Sequence, residues 1–219
     1  GIEEQNAEIK AIVESRETPG FENTIVALDN SGRTLARVKG VFYALTEADT
    51  NDEMSALSEK IAPVLSEHND NIYLNQDLYK RVAAVWQQEQ EGKITLTTEQ
   101  HRLLDKYYKA FIRSGAGLDA GKQNRLREIN KELSTLAITF SNHVLNENNA
   151  YRLVIDNEAE LAGLPEWVKT GAAEEAKAVG KEGKWLFTLQ NSSRLPLLQY
   201  ADNRELRKDI YEAYVNRGN

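Results

Sequence analysis

Residues 118–150, LDAGKQNRLREINKELSTLAITFSNHVLNENNA, carry the most decisive pattern in the chain. Leu126, Ile129, Leu133, Leu136, Ala137, Phe140 and Val144 recur at steps of three and four, which places them on one side of an α-helix. Asp119 stands where an N-cap belongs, and Gly115-Ala116-Gly117 breaks any helix arriving from upstream. Asn146, Asn148 and Asn149 mark the far end. At about 1.5 Å of rise per residue the rod spans roughly 40 Å, about the width of a domain, so neighbouring segments can pack along it. The pattern predicts a structural core helix with Leu133, Leu136 and Phe140 turned inward and Lys131 turned to solvent.

Working outward, most of the chain reads as helix. Ile2, Ile9, Ile12 and Val13 predict a first helix that stops before Pro19-Gly20. Asn23 can cap a second, whose apolar positions run from Ile25, Val26 and Leu28 towards Leu35, Val38, Phe42 and Leu45. Asn30-Ser31-Gly32 could split it, although an isolated glycine is tolerated at modest cost. Met54, Leu57, Ile61, Val64, Leu65 and Ile72 form the next stripe, with a kink expected at Pro63. Asn75 caps a helix that buries Leu78, Val82, Val85 and Trp86. Thr97 and Gln100 stand at capping-box spacing ahead of a helix with the doubled positions Leu103-Leu104, Tyr107-Tyr108 and Phe111-Ile112.

Beyond the long helix the period changes. Residues 151–155 and 185–189 are short, rich in β-formers and bounded by turn residues, and they predict one antiparallel strand pair. Pro165 opens a short helix over Glu166 to Ala178, and a last helix from about Asp202 carries Leu206, Ile210, Ala213 and Tyr214. The expected fold class is all-α, mainly helical with that single strand pair. With no repeat and no low-complexity linker, residues 1–219 are expected to form a single helical domain.

Composition bounds the function. The chain has 219 residues, a formal net charge of -7 and no cysteine. Its acidity argues against a nucleic-acid or anionic-membrane partner, both of which require clustered Lys and Arg. Disulfides and thiolate metal sites are excluded, and no apolar run approaches the roughly 20 residues of a membrane span. Gly1-Ile2-Glu3-Glu4 enters a helical pattern with no cap, so the native polypeptide is expected to begin further upstream. A cytoplasmic location is the expectation, with the periplasm left open.

Candidate chemistry is sparse. The three histidines are His68, His101 and His143, and none stands in an H-E-x-x-H pattern. His143 and Glu147, four apart, share a helical face and could supply half of a metal site, but a catalytic zinc takes three protein ligands and no third is indicated. His68 falls on the apolar stripe of its helix and reads as a hydrogen-bonded core residue, and His101 sits in a first helical turn. Gly115-x-Gly117 lacks the preceding strand of a phosphate loop. The pairs Glu3-Glu4 and Glu174-Glu175 read as solvated faces, as do Arg204 and Lys208. No catalytic, cofactor-binding or metal residue is assigned in this chain, and zinc binding no better than that of an arbitrary acidic surface is expected.

A resemblance adds to that reading. Phe21-Glu22-Asn23-Thr24-Ile25-Val26-Ala27-Leu28 with Ser31-Gly32 resembles the F-x-N-T-x-x-x-L…G entry of the thimet oligopeptidase family of zinc metallopeptidases, which includes oligopeptidase A and peptidyl-dipeptidase (dipeptidyl carboxypeptidase). Asn71-Ile72-Tyr73-Leu74-Asn75 with Leu78 is similar to the segment that follows. So are Arg125-Leu126, Ile129-Asn130-Lys131-Glu132-Leu133 and Phe140-Ser141 in the long helix. Leu161-Ala162-Gly163-Leu164-Pro165 resembles the family's A-G-L-P motif. Leu189-Gln190-Asn191-Ser192-Ser193, Pro196 and Asn203-Arg204-Glu205-Leu206-Arg207 resemble its L-x-N-[ST]-[ST]…P…R-x-x-R segment, in a form nearer the dipeptidyl carboxypeptidase branch.

The family's H-E-x-x-H helix and its downstream glutamate have no counterpart here. The resemblance therefore implies the amino-terminal, helical part of such a peptidase, one wall of a channel that admits short oligopeptide substrates. Zinc is implied for the full-length protein only, and the missing C-terminal catalytic domain is the implied partner. Apolar surface evolved to face that domain is expected near the C-terminal end, around Trp185, Phe187, Tyr200, Tyr211 and Tyr214. The alternative from a different class is a stand-alone helical scaffold or peptide-binding protein.

Overall fold

The computed structural model describes residues 1–218, and the chain is mainly helical. It falls into two compact units, Gly1–Ile138 and a second beginning at Thr139. In the first unit, α1 (Ile2–Glu14) leads into a π-helical turn (Phe21–Val26) that runs on as α2 (Ala27–Asn30). Then come α3 (Arg33–Ala48), α4 (Asp52–Tyr73), α5 (Gln76–Gln90) and α6 (Thr98–Arg113). The long helix α7 covers Ala120–Ala150 and crosses the boundary between the units.

Capping signals fix most of these ends. Asn75 Oδ1 accepts from the backbone N–H groups of Asp77 and Leu78, at 3.0 and 2.9 Å. Thr97 and Gln100 make both bonds of a capping box, at 3.3 and 3.0 Å. Asp119 Oδ1 accepts from Lys122 N at 3.0 Å, which satisfies an orphan donor in the first turn of α7. The Asn30-Ser31-Gly32 interruption does split its segment. Gly32 adopts φ +69° ahead of α3, a left-handed backbone conformation that glycine takes without strain.

The core of the first unit is built on α5 and α6, with Ile9, Ile12, Ile25 and Leu28 closing it. Leu78, Val82, Val85, Leu104 and Phe111 are all fully buried. Trp86 stacks on Tyr108 with ring centroids 4.4 Å apart. The other stripes behave differently. None of the α3 side chains is buried, although Leu35, Val38, Phe42 and Leu45 form a clean stripe. In α4 Ile72 is buried while Leu57 and Val64 are exposed, and the helix continues through Pro63.

The long helix departs most from expectation. Its one buried residue is Gln123, and Leu133, Leu136 and Phe140 are 56%, 53% and 55% exposed. The expected inward face of α7 is thus a solvent face, and Phe140 is exposed as Lys131 is. The helical period was real, but a period states only that one side is apolar. Burial requires a surface opposite, and within the first unit α7 meets α4 through polar groups: Asn130 Nδ2 donates to Asp70 Oδ1 at 2.7 Å and Arg127 to Asn71 Oδ1 at 2.8 Å.

In the second unit β1 (Leu153–Ile155) pairs antiparallel with β2 (Trp185–Phe187), Val154 opposite Leu186. A 3-10 turn (Glu158–Leu161) and α8 (Glu166–Ala178) lie between them, with α9 (Asn191–Tyr200) and α10 (Arg204–Val215) after. The sequence pattern did not announce α9, which carries Pro196 inside it. Leu161, Phe187, Leu197 and Ile210 fill the core. Phe187 is therefore not part of an outward apolar surface. Tyr200 and Tyr211 are exposed, while Tyr214 is half-buried under two guanidinium groups, Arg194 at 3.5 Å and Arg217 at 3.7 Å from its ring centroid.

Candidate functional site

A cavity of about 220 Å3 lies between α3 and α4 in the first unit, closed by residues of α1, α2 and α6. A chain of hydrogen bonds builds one wall. Ser31 Oγ donates to Leu28 O at 2.8 Å, and Gln5 Nε2 donates to Ser31 Oγ at 3.3 Å. This turns Gln5 Oε1 to His68, so the ring's Nε2–H donates to it at 2.8 Å and Nδ1 is left as a buried acceptor with no partner. Burial first, and then the Lys39 charge, hold the imidazole below its ordinary range. On the far side Tyr107 donates to Asp29 Oδ1 at 2.9 Å, and burial with that carboxylate pushes the phenol up.

This arrangement holds a neutral histidine in place, with the Gln5 amide behind the ring. His68 is thus the hydrogen-bonded core residue that its position on the stripe predicted. His101 Nδ1 lies 2.7 Å from Glu89 Oε1, a local pair near the surface. Glu147 Oε2 accepts from Gly218 N at 2.9 Å, which ties the end of the described chain back to α7. His143 and Glu147 gain no third ligand: among the described residues no group of three or more His, Cys, Asp or Glu could hold a metal ion. No helix among them is long and apolar enough to cross a membrane.

The segments that carry the resemblance serve as joints. Asn23 Oδ1 accepts from Gly20 N at 2.8 Å while its Nδ2 donates to Thr18 O at 3.0 Å, so one side chain clamps the turn before the π-helix. Thr24 beside it is fully buried. Asn130 secures Asp70, whose carboxyl is pushed up by burial and held back by that bond and by Arg127. Gly163 adopts φ +84°, and a Cβ would lie 2.3 Å from Tyr200 O, where Asp202 N donates to Ala162 O at 2.8 Å. Ser193 Oγ accepts from Thr188 N at 2.9 Å, and Asn203 Oδ1 caps α10 through Glu205 N at 3.0 Å.

Two buried arginines went unremarked in the sequence. Arg81 Nη1 donates to Ser15 O and Glu17 O at 3.1 and 3.3 Å, pinning the connection after α1. Arg194 Nη2 donates to Asn191 Oδ1 at 2.7 Å. Neither has a carboxylate partner among the described residues, so no charge-pair pattern in the sequence could have found them.

No family model matches the chain. It is 38% identical over 213 residues to a dipeptidyl carboxypeptidase of Escherichia coli, an alignment covering 97% of this chain and 31% of that protein. It is 33% identical over 197 residues to oligopeptidase A of the same organism, covering 90% of this chain and 28% of the relative. With saccharolysin of Saccharomyces cerevisiae the identity is 25% over 203 residues, covering 92% and 28%. The chain thus spans about a third of the length of the relatives it matches. Over nearly its whole length, it is homologous to dipeptidyl carboxypeptidase and oligopeptidase A of the thimet oligopeptidase family.

Proposed function

We propose that this chain is the amino-terminal, channel-wall part of a zinc metallopeptidase that releases dipeptides from the C-termini of short oligopeptides. The observation that carries the reading is the 38% identity along 213 residues to a protein named for that activity. The chain's own residues do not fit the zinc. Its histidines stand apart, one bound to Gln5 and one to Glu89, and the His143–Glu147 pair has no third ligand among the described residues. Zinc and the water-activating groups therefore belong to the remainder of the polypeptide, which is the partner of this part. The contribution of this part is confinement: it limits which peptides reach the metal by length, and it takes no proton and forms no bond. The cytoplasm is the compartment this reading assigns.

The reading frame that encodes the chain and a peptidase assay test this together. The frame is expected to continue into an H-E-x-x-H helix, and the complete polypeptide to release C-terminal dipeptides in a chelator-sensitive manner. The 219-residue chain is expected to be inactive with or without zinc. A stop codon close behind Asn219 would overturn the proposal in favour of a stand-alone scaffold. Cleavage by the chain itself, after contaminants are removed, would overturn the division of labour.

A further inference from the structure

The stripes of α3 and α7 combine sequence-level amphipathicity with an absence of burial. Val38, Val41 and Leu45 on α3 and Leu133 and Leu136 on α7 are each more than half exposed, as is Val64 on α4 between them. These helices are neighbours within the first unit. The cavity that holds His68 is lined from α3 and α4, and a groove on the other side of α4 is lined from α4 and α7 by Asn69, Asp70, Asn130 and Leu133. Asn69 borders both. The α4–α7 seam is made by Asn130 to Asp70 and Arg127 to Asn71, so the helices hold each other by polar side chains and leave their apolar ones unspent.

Exposed apolar side chains on neighbouring helices are seldom left bare together on a monomer, because burying apolar surface is worth about 25 cal/mol per Å2. The length of the relatives supplies an occupant, since about two thirds of each lies outside the match. We infer that the α3–α4–α7 face of the first unit is the seat of apolar segments from the remainder of the same polypeptide. This rests on the proposed function and deepens it by naming the surface on which the two parts join. It also moves that surface away from the strand of Trp185 and Phe187, where Phe187 is already core.

None of the 219 residues is cysteine, so a thiol introduced in this part is identified by its own peptide. Single thiols are introduced by Val41→Cys, Leu133→Cys and Leu136→Cys, with Lys80→Cys on the solvent side of α5 as control. Maleimide labelling is followed by peptide mass spectrometry in the 219-residue chain and in the complete polypeptide of the same reading frame. Labelling at the three apolar positions is expected to slow by about tenfold or more in the complete polypeptide, with the control within about twofold. Unchanged rates at all four positions in a complete, active peptidase would overturn this inference and leave the proposed function standing. A frame with no zinc motif would overturn both. Protection in the 219-residue chain that grows with its concentration would assign the face to a second copy and overturn the inference in that way.

Discussion

The α5–α6 pair and the long helix α7 began from equal evidence and ended differently. Both carry apolar residues at steps of three and four, yet Leu78, Val82, Val85, Leu104 and Phe111 are fully buried while Leu133, Leu136 and Phe140 stand more than half exposed. α5 and α6 are joined by a short connection that brings them side by side, so each supplies the other's opposing surface. α7 meets α4 through Asn130, Asp70, Arg127 and Asn71, and its stripe stays exposed at Leu133 and Leu136. A helical period reports only that one side of a segment is apolar. Whether that side is buried depends on what lies opposite it.

The contrast is broken or sharpened first at Phe111. Phe111→Ala is expected to cost about 3–5 kcal/mol in denaturant melts, as a fully buried aromatic side chain does. A cost below about 1 kcal/mol would mean that the α5–α6 pair is no better packed than α7. In the second unit Gly163→Ala tests a joint that depends on backbone geometry. A positive φ and a Cβ placed 2.3 Å from Tyr200 O should together cost about 2 kcal/mol, and a thermal melt reads the loss.

Smaller effects separate caps from cores. Asn75→Ala removes the acceptor for two backbone donors of α5 and should cost about 1 kcal/mol. If it costs nothing, α5 is held by packing alone. His68 gives a pH signature in place of a fixed cost. Its folded-state pKa lies below the ordinary value of 6.5, so the unfolded chain takes up the proton first. Its contribution to stability is fully present above 6.5 and is lost as pH falls through the folded-state value. Between about pH 7 and about pH 5, His68→Gln should therefore lose less stability than the parent chain, and equal slopes would show that His68 is not held neutral.

Much of this architecture was legible in advance because it is written in local chemistry. The caps at Asn75, Thr97 and Asp119, the helix behind Pro165 and the pairing of residues 153–155 with 185–187 all depend on near neighbours or on a single strand partner. Helix α9 was hidden by Pro196 inside it, and the full burial of Leu197 is something no local rule can see. The roles of Asn23 and Gly163 emerged from the fold, since a clamp on Gly20 and a close approach to Tyr200 O require coordinates. Burial of Arg81 and Arg194 was invisible for the same reason: their partners are carbonyls, an amide and an aromatic ring, with no charged residue to signal them.

One substitution placed in two contexts tests the central claim most directly. Leu136→Ala is expected to change the stability of the 219-residue chain by no more than about 0.5 kcal/mol, because the side chain already stands in solvent. In the complete polypeptide the same change is expected to cost about 2–5 kcal/mol, the loss typical of a leucine removed from a core. Equal small effects in both would contradict the account, since the stripe of α7 would then be a solvent face in the whole protein as well.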